Sequence, residues 1–445
     1  MSSQTSTAPK LERELSLTQA TAINMIDMVG IGPFVTVSII VSMMQGPLSI
    51  MAWILGALLS YADGMVWAEM GAKWPEAGGS YVFLQRLYGG KKLGKAMPFL
   101  FIWQTTIQAP LVIASGAIGF AQYLTYLVPL DDIQKRMVSG GLVLVLVALL
   151  YRNIKSIGKI STVLGVITVG TILWIIFSGI GHFNASQAFD FGDVSWLSAP
   201  FYVALGQASQ KAVYSYLGYY NVCHLGAEIK NPQRNIPRAI FISITGIALL
   251  YLGMQTAILG VLPWKDVAAS DFVISLYFEQ IFNHTVAQVA TLLILCIALA
   301  SLFSVILGYS RIPYAAAKNG DFFPAFAKLH PKYHFPYVSL LALGGLAFVF
   351  SLLFKMKEVI TAIIVMRILI QFISQAVGVI TWHLQKPKDE RPYKMPLFPI
   401  PAIISICIWL FLLMMSDRDY ILFALGIIAS GIILYFVKER MTKAQ

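Results

Sequence analysis

Charge is what this sequence has least of. Aspartate, glutamate, lysine and arginine make up 12% of its 445 residues, about half of the roughly 25% usual in soluble domains. With 58% hydrophobic residues and a mean hydropathy of +0.73, the chain reads as a polytopic membrane protein and not a soluble globule. Cysteine is scarce as well. Cys223, Cys296 and Cys407 stand in separate hydrophobic segments, without metal-like spacing or a disulfide framework, and read as small buried hydrophobes. The six histidines show no ligand spacing, and there is no nucleophile–base pair or phosphate-binding loop, which argues against an enzyme and predicts no metal. No polar stretch is long enough for a separate soluble domain. Residues 1–15 read as a disordered cytoplasmic tail, and the apolar run after them is too long and too interrupted for a cleaved signal peptide.

What is present is a series of apolar runs. A span needs about 20 apolar residues, and twelve candidates can be marked: 16–43, 47–71, 97–128, 137–151, 160–181, 198–225, 239–262, 285–316, 337–354, 359–383, 398–415 and 420–437. With the N-terminus inside, 24 lysines and arginines fall in inner segments, six in outer loops and two, Lys211 and Arg367, within spans. That asymmetry orients the chain with both termini cytoplasmic in the cell membrane. It also accounts for the net charge of +11 without a nucleic-acid partner, the basic loops facing the lipid bilayer surface. Tyr81 to Tyr88 has the apolar spacing of a short helix along the inner surface. Residues 263–284 form an amphipathic outer loop, either a lid or a plain surface helix.

The first span contains Asp27-Met28-Val29-Gly30-Ile31-Gly32-Pro33-Phe34. Irregular backbone at membrane depth is tolerated only where it is buried in protein or lines a wet cavity, and an ionisable residue there is a functional-site candidate. The sixth span repeats the anomaly, with Lys211 followed by Tyr214-Ser215-Tyr216-Leu217-Gly218. If spans 1–5 and 6–10 are inverted halves, these interruptions stand in corresponding positions, the sequence pointer to a transporter's midplane site. The outer half of the first span begins near Pro33, so exposed N–H groups from Ile31 to Phe34 form a positive terminus suited to a carboxylate. Unpaired carbonyls ending the other half-helices are expected to hold an ammonium. Donors on one side and acceptors on the other suit an α-amino acid.

These residues carry a family resemblance over nearly the whole chain. Gly30-Ile31-Gly32-Pro33-Phe34 and Tyr214-Ser215-Tyr216-Leu217-Gly218 are joined by Ala68-Glu69-Met70-Gly71, Gly78-Gly79-Ser80-Tyr81, Glu228 to Pro237, Ser310-Arg311, Lys318-Asn319-Gly320 and Arg391 to Pro396. In this order they resemble the amino acid–polyamine–organocation superfamily, and within it bacterial amino-acid permeases and light-chain-type exchangers. The resemblance implies an all-α, leucine-transporter-like fold of twelve helices, with a first repeat at 16–181, a second at 198–383, and two further helices at 398–437. It implies substrate bound between helices 1 and 6, by Gly30, Ile31, Gly32, Phe34, Tyr214, Ser215, Tyr216, Leu217 and Gly218; Asp27, one helical turn before Gly30, joins them by its position.

Three positions depart from the family pattern. Where members often carry a lysine in helix 5, this chain has Thr168. Ser301 and Ser304 of helix 8 could then join a sodium site, or simply bond backbone as serines in membrane helices do. Asp27 stands where relatives have a neutral residue; it either binds the substrate amine, carries a coupling proton, or pairs with Lys211. Asp63 and Arg367 need partners, and either pair with each other or line the inner pathway. The leading reading is a secondary transporter of amino acids working by alternating access, coupled to H+ or Na+ or exchanging. The alternatives are a polyamine or organic-cation transporter, or a membrane sensor that binds without transport. The sequence says nothing of oligomeric state.

Overall fold

The computed structural model describes residues 11, 13–89, 94–151, 154–192, 198–354 and 356–443. Among them there is no extended strand, only two isolated bridges, Leu15 with Ile229 and Ala77 with Leu225. Helix occupies every stretch expected to span. In chain order the helices are α1 (Leu17–Met28), α2 (Gly32–Met44), α3 (Ile50–Lys73), α4 (Ser80–Tyr88), α5 (Ala96–Leu124), α6 (Asp132–Leu150) and α7 (Ile154–Ser178). They continue with α8 (Ala185–Ala188), α9 (Ala199–Tyr216), α10 (Asn221–His224), α11 (Pro232–Val261), α12 (Trp264–Ala269), α13 (Val273–Ile281), α14 (His284–Tyr309) and α15 (Arg311–Lys318). The last are α16 (Tyr337–Leu353), α17 (Met356–Arg367), α18 (Ser374–Gln385), α19 (Ile400–Met414) and α20 (Arg418–Lys443).

Among the described residues, eight helical stretches are long and apolar enough to cross a membrane, and α1 with α2 makes a ninth, bent by 43°. α16 and α19 are shorter apolar helices, and α9, with Gln207, Gln210 and Lys211, is too polar to join them. The protein is an all-α, multi-pass membrane protein.

Both interruptions have local causes. α1 ends at Met28, and α2 starts at Gly32 with Pro33 in its first turn, where a residue lacking an N–H forfeits nothing. α9 ends at Tyr216, and the chain then passes through Gly218 at φ +122°, a conformation that β-carbons oppose. A third irregularity follows α17, where Ile368–Ile373 forms a π-helical turn before α18.

Residues 1–10 and 12 of the expected tail lie outside the described residues. Its end is anchored: the N–H groups of Glu14 and Leu15 donate to the Glu228 carbonyl at 3.0 and 2.9 Å, and Lys230 donates back to Leu15. On this basic face Arg311 holds Glu228 through two bonds of 2.9 and 3.2 Å, both side chains buried. Gly78 N–H donates to the His224 carbonyl at 3.1 Å, and the Tyr81 hydroxyl donates to Asp321 at 2.5 Å. Motif pieces scattered through the sequence thus meet in one cross-linked layer. At the opposite end Trp264 of α12 packs on Gly46, and Phe272 meets the rings of Tyr123 and Tyr126, so the amphipathic loop lies across α2 and α5.

Candidate functional site

Gly218 is where the two interruptions touch. An added β-carbon there would stand 2.8 Å from the Met28 amide nitrogen and 2.9 Å from the carboxyl carbon of Asp27. Beside this contact lies a cavity of about 60 Å³, lined from the first interruption by Asp27, Met28, Gly30, Ile31 and Gly32 and from the second by Tyr214, Ser215, Leu217 and Gly218. α5, α14 and α17 close it with Val112, Gly116, Ser301, Leu302, Tyr309, Ile363 and Arg367, among others.

The wall has a polarity. The α2 terminus has no side-chain cap, and Gly30, Ile31 and Gly32 line the cavity, so the positive end of the helix dipole stands beside it. Asp27 also lines the cavity, and no described side chain donates a hydrogen bond to its carboxylate. The Tyr214 hydroxyl is tied to Ser115 at 2.8 Å, and Gln108 Nε2 donates to the Tyr309 hydroxyl at 3.4 Å, which holds two aromatic walls in place.

The freed carbonyls correct one expectation. They are not left for an ammonium, because side chains meet them. The Tyr251 hydroxyl lies 2.8 Å from the Met28 carbonyl and 3.0 Å from that of Ser215. Ser301 donates to the Asp27 carbonyl at 3.3 Å and Asn24 Nδ2 to that of Tyr219 at 2.6 Å, while Ser304 bonds the Ile23 carbonyl inside α1 at 3.0 Å. Asn24 also accepts from the Val222 N–H at 2.8 Å. An interruption at membrane depth survives only when its backbone groups find such partners.

Several predicted residues sit elsewhere. Phe34 is buried and offers its carbonyl to the Tyr123 hydroxyl at 2.9 Å; two residues past the cavity-lining Gly32, it turns to another face of α2. Tyr216 packs on Trp53 and Tyr251, because its neighbours Ser215 and Leu217 take the cavity side. Thr168 is buried and bonds its own helix at Leu164, 2.9 Å away. Ser304 does not line the cavity; besides Ile23 it takes a bond from Asn221 at 2.9 Å.

Neither of the two ion pairs left open by the sequence forms. Lys211 donates to Thr361 at 2.5 Å, and it lies seven residues before Gly218, roughly 10 Å along a helix from the level where Asp27 sits. Asp63 accepts bonds from Tyr219 at 2.5 Å, Ser405 at 2.9 Å and Trp409 at 3.4 Å. Arg367 lies under the Tyr220 ring, 5.0 Å from its centroid. Adjacent tyrosines thus point to opposite sides and separate the two charges. Sequence reasoning passed over Asn24, Tyr251 and Tyr309. A polar residue in the first span was a signal for Asn24, but nothing distinguished two of twenty tyrosines.

Similarity to known proteins runs along nearly the whole chain. Residues 15–434 match the family model described as amino acid permease. A methylthioribose transporter of Bacillus subtilis (strain 168) is 23% identical, the match covering 98% of this chain and 95% of that protein. A branched-chain amino acid permease of the same organism is 22% identical over 98% of this chain and 95% of the relative. A serine/threonine exchanger, again from that strain, is 22% identical over 89% of each.

Proposed function

Because the chain belongs to the amino acid permease family, which its residues 15–434 match, we propose that it carries amino acids across the cell membrane by alternating access around the paired interruptions. The observation that carries this reading is the cavity itself. It lies at the contact of two broken helices, with an uncapped helix N-terminus on one wall and a free carboxylate, Asp27, on another. The N–H groups around Gly30, Ile31 and Gly32 take the substrate α-carboxylate, and Asp27 takes the ammonium. Tyr214, Ser215, Leu217 and Gly218 bound the side chain. The halves 16–181 and 198–383 act as the inverted repeats that rock about the site, with 398–437 outside them. Both termini are cytoplasmic, as the distribution of lysine and arginine requires.

Coupling in this proposal runs through a proton on Asp27, which leaves as the ammonium binds and returns when it departs, and not through sodium. Of Ser301, Ser304 and Thr168 only Ser301 lines the cavity, whereas Asp27 lines it with a carboxylate that receives no bond from a described side chain. A polyamine or organic cation is favoured by Asp27 but opposed by the Arg367 guanidinium in the same cavity.

Proteoliposomes with imposed proton or sodium gradients test the reading with a panel of labelled amino acids and spermidine. Amino-acid uptake driven by a proton gradient, and lost on Asp27→Asn at unchanged protein abundance, is the expected result. Spermidine flux alone would promote the cation transporter, and binding without flux a sensor. Uptake that follows sodium would remove Asp27 from the coupling role.

A further inference from the structure

Arg367 is a buried cation with no ion-pair partner among the described residues. It ends α17 with 1% of its surface exposed. Its Nε donates to Gln371 Oε1 at 2.8 Å, a partner placed by the π-helical turn that begins at Ile368. The rings of Tyr220 and Phe372 lie 5.0 and 5.2 Å from the guanidinium carbon, and these contacts fix its plane. Nη2 is buried without a hydrogen-bond partner, while the residue lines the cavity. Among the described residues no carboxylate lies within ion-pair distance of it. Arg311 shows the ordinary solution, two bonds to the buried Glu228. A buried charge without such a partner is costly, and a π-turn inside a helix often marks a functional site. Asp27, across the same cavity, acts on Arg367 only at longer range.

We propose that Arg367 selects the substrate by pairing with a side-chain carboxylate, so that the protein prefers acidic amino acids. The inference rests on the proposed transport function. In that arrangement the α-carboxylate sits at the α2 terminus and the ammonium at Asp27, which leaves Arg367 as the third charged group of the cavity. The planar fork of a guanidinium matches a carboxylate with two parallel bonds. A neutral amino acid would leave Nη2 unpaired, and a cationic one would face repulsion. At about 60 Å³ the cavity has room for only roughly four to six waters, which ranks aspartate ahead of glutamate.

Counterflow in proteoliposomes with aspartate, glutamate, asparagine, alanine and lysine tests this, together with thermal melting of each variant in detergent. The wild type is expected to carry aspartate fastest. Arg367→Gln should lower aspartate transport about 10–100-fold, the worth of a bond to a charged group, while asparagine transport holds or rises. Arg367→Lys should keep part of the aspartate flux. Wild-type flux of alanine and asparagine without aspartate or glutamate would overturn the inference and leave the transport function standing. So would an equal loss of aspartate and asparagine in a glutamine variant that melts as the wild type does. If that variant fails to fold, the wild-type ratio of aspartate to asparagine flux decides alone. No flux of any amino acid would overturn the transport reading, and this inference with it.

Discussion

Gly218 presses on Asp27 so closely that a single methyl group on it would stand 2.9 Å from the carboxyl carbon. The same methyl would meet the Met28 amide at 2.8 Å, on a residue held at φ +122°. Backbone atoms cannot swing aside as a side chain can, and the conformation itself costs a β-carbon about 1–3 kcal/mol. Gly218→Ala is therefore expected to cut substrate flux at least about tenfold while the protein still inserts. Wild-type flux in that variant would show that the contact between the interruptions is not needed for transport.

Gly30 is the companion test, because its β-carbon would stand 2.6 Å from the Ser301 hydroxyl oxygen. Gly30→Leu should abolish uptake and leave membrane abundance unchanged. Binding of substrate to the variant at wild-type affinity would place the site elsewhere.

Tyr251 bridges the ends of two half-helices, 2.8 Å from one carbonyl and 3.0 Å from the other. Removing its hydroxyl leaves buried acceptors short of a donor, at a cost of about 1–3 kcal/mol. Tyr251→Phe should lower the melting temperature in detergent and slow transport. An unchanged melting temperature would mean that water replaces the hydroxyl.

Asp63 organises Tyr219, Ser405 and Trp409 with no basic partner among the described residues. Asp63→Ala strands at least two buried donors, and a destabilisation of about 2–4 kcal/mol follows if each costs about 1–2 kcal/mol. Asp63→Asn, which keeps acceptor capacity at one oxygen, should lose less. Equal loss in both variants would point to the charge rather than the hydrogen bonds.

The basic face offers a test of pH dependence. Asp389 accepts from Lys73 at 2.7 Å and from Trp382 at 3.0 Å, and these bonds, that of Lys73 foremost, hold its carboxyl below the usual range. A carboxylate depressed by folding stabilises the folded state above its unfolded pKa, and that contribution fades as pH falls through the folded value. The loss should begin below about pH 4. Melting temperatures measured down an acid series should fall less steeply for Asp389→Asn than for the wild type. Parallel curves would show that this tie contributes nothing to stability.

The sequence by itself determined the membrane class, the positions of the helices and the two interruptions, because each depends on local composition. Apolar length, the missing proline N–H and glycine's freedom at positive φ act where the residue stands, so Gly30 to Pro33 and Gly218 were legible without a partner. Eight of the ten substrate-site residues named around them line the cavity, as does Ser301, but Arg367 was read only as a charge needing a partner.

Tertiary packing decided the rest. Whether Asp27 meets Lys211 or faces the cavity depends on how far α9 extends before it breaks, and that length places Lys211 about 10 Å from the required level. Phe34 and Tyr216 were expected in the pocket, yet they turn away because helical rotation carries near neighbours to different faces. The carbonyls at the interruptions were expected free, and Asn24, Ser301 and Tyr251 satisfy them from other helices. Such donors come from sequence separations as large as 274 residues, as between Asp27 and Ser301. No local pattern marks them, because a hydrogen bond across a bundle is chosen by the packing of whole helices.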